Sequence, residues 1–231
     1  MPRKPPPDET VEVDGRSTRW DDHKAQRRER ILQAAIDTIN ESGSDIGVLQ
    51  IAERAEVPRS VVYRHFKDRG DLDEAIRARI IDKLMANLAP ALTPTGNIAQ
   101  AIDQAVDTYL DWIVASPKLH QFLGTGSASR RTTGSRVVTG TKTAIAVQLT
   151  GLFELMLTSL GHDSVLAESL AFGVIGLVDV SVNRWLAHAN SQLPLDKLRG
   201  FLAVSIWQVL DGNLRQLGTT LSPQTLISDL L

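Results

Sequence analysis

The stretch that most constrains how this chain can fold is residues 51–72, which read IAERAEVPRSVVYRHFKDRGDL. Apolar residues recur at helical spacing before and after a three-residue break, Ala55-Glu56-Val57. Pro58 can open the second segment because the first turn of a helix does not use its backbone N–H. Asp68 offers an N-cap for a further helix. The pattern predicts two short helices joined by a tight turn and followed by a longer helix.

The second short helix, predicted over 58–65, is expected to project from its domain while the first one braces it. A small core can fix the angle between the two helices, formed by Ile51, Ala52, Val57, Val62 and Phe66. The residues left on or near the projecting face are Arg59, Ser60, Val61, Tyr63, Arg64 and His65. Arginine can reach guanine edges, a hydroxyl serves phosphate or base, and valine can contact a thymine methyl. This arrangement is typical of a helix that enters the major groove of DNA.

The rest of the chain also reads as helices, and no strand pattern competes with them. Residues 1–18 are charged and proline-rich without apolar periodicity, which predicts a disordered or loosely held arm. Further helices are predicted over 22–41, 68–88, 98–115, 117–123, 136–160, 164–189 and 194–217. The glycine-, serine- and threonine-rich residues 124–135 predict a mobile connection. The fold class is therefore all-α.

Composition narrows the class of protein. Hydrophobic residues make up 42% and charged residues 23% of the 231 residues, as in ordinary globular chains. The longest apolar run, 170–178, is too short to cross a bilayer, and no secretion signal precedes it. Cysteine is absent, which excludes disulfides and thiolate metal sites and suits a reducing compartment. We therefore expect a cytoplasmic protein without a membrane association.

The distribution of charge gives a modest indication of a nucleic-acid partner. The formal net charge is −2, yet residues 16–69 hold 11 Lys and Arg against 9 Asp and Glu. The basic residues before Ile31 can lie along phosphates, enter a minor groove, or form a solvated helix face. A nonspecific or architectural DNA-binding protein would be expected to carry a larger basic excess.

Enzyme function is not expected. The sequence has no glycine-rich phosphate loop, no His and carboxylate cluster at metal-ligand spacing and no serine elbow. We therefore predict no catalytic residue, no metal and no cofactor. A regulator whose C-terminal region only dimerises, without binding a ligand, stays open as an alternative.

Residues 31–76 resemble, without gaps, the DNA-binding region of the TetR family of bacterial one-component transcriptional regulators. The resemblance implies a three-helix helix-turn-helix domain over 19–67, a connecting helix over 68–89, and an effector-binding and dimerisation domain over 90–231. It implies a sequence-specific regulator, a repressor that a small and largely apolar effector releases from operator DNA. It also implies a homodimer formed through the last two long helices.

The resemblance assigns roles to particular residues. Tyr63 and Arg69, with help from Lys67, correspond to phosphate contacts, and Arg59, Ser60 and Val61 correspond to contacts with bases. The alternatives to these DNA contacts are that Tyr63 is a packed aromatic residue and that Arg59 is only a solvated charge.

Three positions depart from the family pattern. Gly47 stands where a threonine commonly caps the second helix and binds phosphate, Glu56 stands where the turn usually has glycine, and Pro58 replaces a serine cap. A side chain at position 56 tolerates a left-handed backbone poorly.

The C-terminal region is read from physical pattern. Residues 166–186 and 198–210 are apolar on more than one face, so they are expected to be buried on two sides, by a second subunit or by the chain's own core. Asp179 inside an apolar helix requires a partner or a polar cavity. Candidate residues for an effector pocket are Tyr109, Trp112, Phe122, Phe153, Met156, Phe172, Asp179, Asn183 and Trp185.

Overall fold

The structure, a computed structural model, describes residues 15–91, 95–125, 136–187 and 193–230. Within these ranges the chain is all-α, which confirms the predicted fold class. The helices are α1 (Gly15–Ser42), α2 (Val48–Arg54), α3 (Arg59–His65), α4 (Arg69–Leu88), α5 (Ile98–Ala115), α6 (Pro117–Thr125), α7 (Arg136–Ser159), α8 (Ala167–Ala187) and α9 (Leu195–Gln216), with a short 3₁₀ turn at Ile227–Asp229.

The chain forms two compact units, Met1–Leu72 and Asp73–Leu231. Helix α4 begins in the first unit and continues into the second. The first unit contains α1, α2 and α3, and the second contains most of α4 and all the helices that follow.

The core of the first unit is formed where α1, α2 and α3 pack together. Ile31, Ala35 and Ile39 of α1 are buried, at helical spacing along one face. Four of the five predicted core residues of the short helices are buried, namely Ile51, Ala52, Val62 and Phe66, and Val57 is half-buried. The small core predicted from the sequence is therefore present.

Helix α1 begins earlier than predicted. The prediction placed its start near Asp22 and assigned residues 1–18 to an arm, whereas the helix begins at Gly15. Residues 15–18 are therefore helical, and residues 1–14 lie outside the described part of the chain. The early turns escaped detection because apolar periodicity marks only a helix face that is buried. Residues 23–28 of α1 are exposed, and a polar helical segment of this kind depends on local propensity alone.

The second unit has its main core between α5, α7, α8 and α9, with α7 packed on α8 and α5 on α9. The predicted span of α5 agrees with the structure, and its start is fixed by a capping box in which the Asn97 side chain accepts from the N–H of Gln100 at 2.9 Å. Helix α8 begins at Ala167, three residues after the predicted start. Helix α6 extends to Thr125, and the remaining residues of the predicted connection, 126–135, lie outside the described ranges.

Candidate nucleic-acid interface and ligand cavity

Helix α3 has one fully buried side chain. Val62 is its only buried residue, and Phe66, which follows its last turn, anchors the end of the helix. The side chains of Arg59, Ser60 and Arg64 are exposed, while Val61 is half-buried. The helix therefore presents most of its length to solvent.

Arg59 and Tyr63 form a pair on the exposed side of α3. The Arg59 guanidinium donates to the Tyr63 hydroxyl at 3.3 Å, and its Cζ lies 5.5 Å from the centre of the Tyr63 ring. Tyr63 is 41% exposed, so it is not a packed core aromatic. The pair holds a cation and a phenol one helical turn apart on the same face.

The turn between α2 and α3 has the left-handed backbone that the sequence comparison with the family suggested. Glu56 has a φ of +55°, and among the described residues no other non-glycine residue has a positive φ. The turn is closed by the Val57 N–H, which donates to the Ala52 carbonyl at 3.0 Å. The Arg30 side chain of α1 donates to the Ala55 carbonyl at 3.0 Å and braces the turn from outside.

Both short helices begin without a side-chain cap from their first residue. At α2, Gly47 has φ −81° and ψ 155°, and its N–H donates to the Gln50 side chain at 2.7 Å. At α3, Pro58 supplies a backbone carbonyl that accepts from the Val61 N–H at 2.8 Å. Neither position offers the hydroxyl that the family pattern would place there.

Basic residues of α1 lie close to the end of α3. The Arg28 Cζ is 5.1 Å from the centre of the Phe66 ring. The pKa of His65 is lowered by burial first and then by the positive charges of Lys24, Arg27, Arg64 and Arg28. His65 is half-buried, unlike the exposed residues of α3 with which the sequence analysis grouped it.

The start of α4 is tied to the backbone before α2. The Arg69 side chain donates to the Ile46 carbonyl at 2.6 Å. Asp68 caps the helix as predicted, because its Oδ1 accepts from the Asp71 N–H at 2.8 Å. The Lys67 N–H donates to Asp71 Oδ2 at 2.9 Å, and its side chain is exposed. Arg69 is half-buried and so has a bracing role in the unit itself.

The second unit contains a cavity of about 500 Å³. Its walls come from five long helices, α4, α5, α7, α8 and α9, together with part of α6 and the C-terminal residues Ile227 and Leu230. Most lining side chains are aliphatic or aromatic, so the cavity suits an apolar molecule.

Six of the nine predicted pocket residues line this cavity: Tyr109, Trp112, Phe153, Met156, Asp179 and Asn183. The other three do not. Phe122 is buried beneath the Arg77 guanidinium, whose Cζ lies 4.8 Å from the ring centre. Phe172 is exposed on α8, and the Trp185 indole N–H donates to the Leu193 carbonyl at 3.0 Å.

The prediction missed many aliphatic lining residues, among them Leu84, Ile102, Leu149 and Leu210, and it also missed His120. Their sequence pattern is that of ordinary core positions, so nothing in the sequence separates a wall of a cavity from a filled core.

Tyr109, Asp179 and Asn183 form a polar patch in the cavity wall. The Asn183 side-chain amide donates to the Asp179 backbone carbonyl at 2.7 Å and to its carboxylate at 3.1 Å. Burial raises the pKa of the Tyr109 hydroxyl, and the Asp179 charge raises it further. Tyr109 therefore stays protonated and can donate a hydrogen bond near neutral pH.

Helices α8 and α9 carry exposed apolar side chains. The large ones are Phe172 and Val180 on α8 and Phe201 and Val204 on α9. By length and composition α8 is also apolar enough to span a membrane, but core helices of water-soluble proteins pass the same test. In the second unit α8 packs on α7 and α9, and Val174 and Val182 are buried there.

A three-helix unit with an exposed third helix has the architecture of a helix-turn-helix DNA-binding domain. Residues 31–76 match the family described as bacterial regulatory proteins, tetR family. The chain is similar to an uncharacterized HTH-type transcriptional regulator of Mycobacterium tuberculosis, Rv0472c, at 26% identity over 88% of this chain and 85% of that one. It is also similar to the transcriptional activator FasR of Mycolicibacterium smegmatis, at 27% identity over 74% and 76%. The matched segment, residues 31–76, belongs to the tetR family of bacterial regulatory proteins.

Solved structures share the fold. A tetR-family regulator from Streptomyces coelicolor superposes with a TM-score of 0.66 at 20% identity, covering 83% of each chain. FadR from Bacillus subtilis, solved in complex with stearoyl-CoA, superposes with a TM-score of 0.59 at 16% identity, covering 80% of this chain and 98% of that one.

Proposed function

We propose that this protein is a cytoplasmic, homodimeric repressor that binds an operator sequence through α3 and leaves it when a small, largely apolar effector occupies the cavity of the second unit. The observation that carries the proposal is that α3 fully buries only Val62 and leaves the side chains of Arg59, Ser60, Tyr63 and Arg64 exposed. A recognition helix needs this combination of a fixed inner side and an open outer side.

The proposed contacts to bases are made by Arg59, Ser60 and Val61 at the start of α3. In the free protein the Arg59 guanidinium is held by Tyr63, which keeps it extended along the exposed face. Tyr63, Lys67 and Arg69 are proposed to contact phosphates. In the free protein the Arg69 side chain donates to the Ile46 carbonyl at 2.6 Å.

A second set of phosphate contacts is proposed for α1. Lys24, Arg27 and Arg28 are exposed and their charges act on His65 at the end of α3. Because these side chains lie beside the recognition helix, they can follow the DNA backbone that flanks the groove. We propose that Arg64 belongs to the same contact region.

The proposed dimer forms through α8 and α9. These helices expose Phe172, Val180, Phe201 and Val204, and exposed apolar side chains of this size are of the kind that a second subunit covers. A two-fold dimer would also present two copies of α3 to the two half-sites of a palindromic operator.

The effector is proposed to act by linkage. If it binds best to a conformer whose recognition helices fit the operator poorly, ligand and DNA weaken each other's binding by the same factor. Helix α4 supplies Ile81, Leu84 and Leu88 to the cavity wall and continues into the first unit, so it is the proposed lever. FadR bound to stearoyl-CoA is an example of this fold holding an amphiphile.

The proposal can be tested by titrating the purified protein into its own upstream DNA and a scrambled control, with fluorescence anisotropy followed at several salt concentrations. Tight binding confined to the upstream DNA is expected. Equal affinity and equal salt slopes for both DNAs would leave only nonspecific phosphate contact. An unchanged operator affinity at saturating ligand would favour the alternative, a dimer that does not respond to a ligand.

The direction of regulation needs a separate measurement, because FasR is named as an activator. A reporter driven by the identified promoter should be more active when this gene is deleted. A reporter that falls silent on deletion would replace the repressor by an activator and would leave the DNA-binding proposal intact.

A further inference from the structure

Part of the cavity wall is not built from a long helix. Among the lining residues that the structure describes, Ala91, Ile227 and Leu230 lie outside the α-helices. Ile227 and Leu230 belong to residues 219–230, an irregular segment after α9 that we call the strap. Their side chains pack with Ile98, the first residue of α5, in a small buried cluster of their own. The strap therefore covers the cavity next to the start of α5.

The strap is docked on α5 by N–H groups that a helix cannot pair internally. The first N–H groups of an α-helix have no acceptor within the helix. Here the Ile98 N–H donates to the Thr225 carbonyl at 3.1 Å, and the Ala99 N–H donates to the Pro223 carbonyl at 2.9 Å. The strap thus completes the hydrogen bonding of the helix start that it covers.

A short antiparallel pairing extends this contact. The Ile227 N–H donates to the Gly96 carbonyl at 2.9 Å, and Asn97 and Leu226 face each other in an antiparallel bridge. Hydrogen bonds flank this pair on both sides, so it is a non-hydrogen-bonded pair, in which the two Cα atoms lie about 4.5 Å apart. The pairing fixes the register of the strap against the residues before α5.

The strap can leave its place at a lower cost than any of the long helices. Of its residues, Ile227 and Leu230 are buried and the others are half-buried or exposed, whereas α5, α7, α8 and α9 bury the main core between them. The far end of the strap is held by the Ser159 hydroxyl of α7, which donates to the Leu230 carbonyl. Irregular segments with few buried contacts open locally more often than the core does.

We propose that the strap is the gate of the cavity. The effector enters and leaves when residues 219–230 move away from the start of α5, and the strap closes over the bound molecule. This inference rests on the proposed function, since it concerns access to the same cavity. A gate controls the rates of entry and exit, while the affinity depends only on the closed states with and without ligand. Locking the strap should therefore slow both rates and leave the dissociation constant nearly unchanged.

The test locks the strap with a disulfide. The chain has no cysteine, so Asn97→Cys with Leu226→Cys introduces one pair and no competing thiol. The Cα separation of about 4.5 Å expected for this pair lies within the range that a disulfide bridges. Oxidised glutathione closes the lock in the full chain. The reduced form of the same protein carries both substitutions without the lock and is the matched control.

The probe is N-phenyl-1-naphthylamine, a neutral apolar dye that becomes fluorescent when it leaves water. It is small enough for a cavity of about 500 Å³. Association and dissociation are followed by stopped-flow fluorescence. We expect both rates to be at least about tenfold lower in the oxidised than in the reduced protein, with dissociation constants within about threefold of each other.

Three variants connect the rates to the strap and the cavity. Ser159→Ala removes the hydroxyl that holds the Leu230 carbonyl and should raise both rates by about threefold or more. Thr158→Ala is its matched control, since it removes an exposed hydroxyl from the same helix. Ala105→Trp places a large side chain in the cavity wall and should abolish dye binding, while circular dichroism should show the helix content of the wild type.

The outcomes are distinct. Equal rates in the oxidised and reduced double variant, or Ser159→Ala rates that match those of Thr158→Ala, would overturn the gate and leave the cavity as the effector site. A cysteine pair that does not oxidise would contradict the pairing of the strap with Asn97 and so would also overturn the gate. A dye that binds equally well to Ala105→Trp and to the wild type, or that binds to neither, would overturn the effector part of the proposed function and the gate with it.

Discussion

At the scale of single residues, the turn between the two short helices carries local strain. Glu56 adopts φ +55° although it has a side chain, and it is exposed, so no packing contact offsets the cost. The sequence identified this position because a glycine is expected there in the family. The backbone hydrogen bond from Val57 to Ala52 holds the turn closed in spite of the strain.

Replacing Glu56 by glycine should stabilise the protein. A left-handed backbone costs a non-glycine residue about 1–2 kcal/mol, and part of that gain is cancelled by the greater freedom of glycine in the unfolded chain. We expect Glu56→Gly to raise the free energy of unfolding by up to about 1 kcal/mol in urea denaturation. Glu53→Gly, inside α2, is the control and should lower it by about 1 kcal/mol. Equal losses in both variants would contradict the strain at position 56.

The lowered pKa of His65 predicts that the free energy of unfolding depends on pH. Its pKa in the folded protein lies below the unfolded value of 6.5, so the unfolded state binds more protons in this range. The contribution of His65 to the free energy of unfolding is complete above pH 6.5. It is lost as the pH falls from 6.5 through the lower pKa of the folded protein. Between pH 8 and pH 5.5 the melting temperature of the wild type should therefore fall more steeply than that of His65→Gln. Parallel curves for the two proteins would show that His65 is not the group responsible.

At the scale of elements, the sequence predicted buried faces well and exposed lengths poorly. The bounds of α5 follow from the Asn97 cap and a regular apolar face, both of which are local signals. The sequence of the first turns of α1, residues 15–22, has no apolar residues at helical spacing, and for this reason their helical state was missed. The pocket was predicted in part for a related reason. Aromatic residues attract notice in a sequence, but whether Phe122 fills a core or Phe172 faces outward is decided by neighbours from other helices.

The exposed part of α1 can be tested as an element. If Lys24 and Arg27 contact phosphates, each releases about one counterion on binding, so Lys24→Gln with Arg27→Gln should reduce the slope of log affinity against log salt by roughly 1.8. Operator preference over scrambled DNA should change little, because phosphate contacts carry no sequence information. Lys118→Gln on α6 is a control outside the first unit. A slope that matches the wild type would show that α1 is a solvated face.

At the scale of the whole molecule, tight binding to the full operator depends on formation of the proposed dimer. The second unit leaves Phe201 about half exposed on α9, with Val204 three residues later on the same side. Apolar side chains of this size on adjacent turns are favourable only when they are covered.

The double variant Phe201→Ser with Val204→Ser should be a folded monomer, as measured by light scattering coupled to size exclusion. Its affinity for a full operator should fall by at least about a hundredfold, because one recognition helix is then bound without its two-fold partner. Val114→Ser, which alters an exposed apolar residue on α5, is the matched control and should leave both properties unchanged. A dimer that persists in the double variant would place the interface elsewhere.

The contact between the buried Arg77 and Phe122 predicts where mutations that abolish the response to the effector will be found. It lies on α4 above the Phe122 ring of α6, the helix that also supplies His120 and Leu123 to the cavity, and its ion pair with Glu74 is 3.0 Å long. Neither Arg77 nor Phe122 lines the cavity, and neither belongs to the proposed DNA surface. A selection for cells that no longer respond to the effector should nevertheless recover substitutions at these two positions. The encoded proteins would still bind the effector and the operator, but effector binding would no longer release the operator.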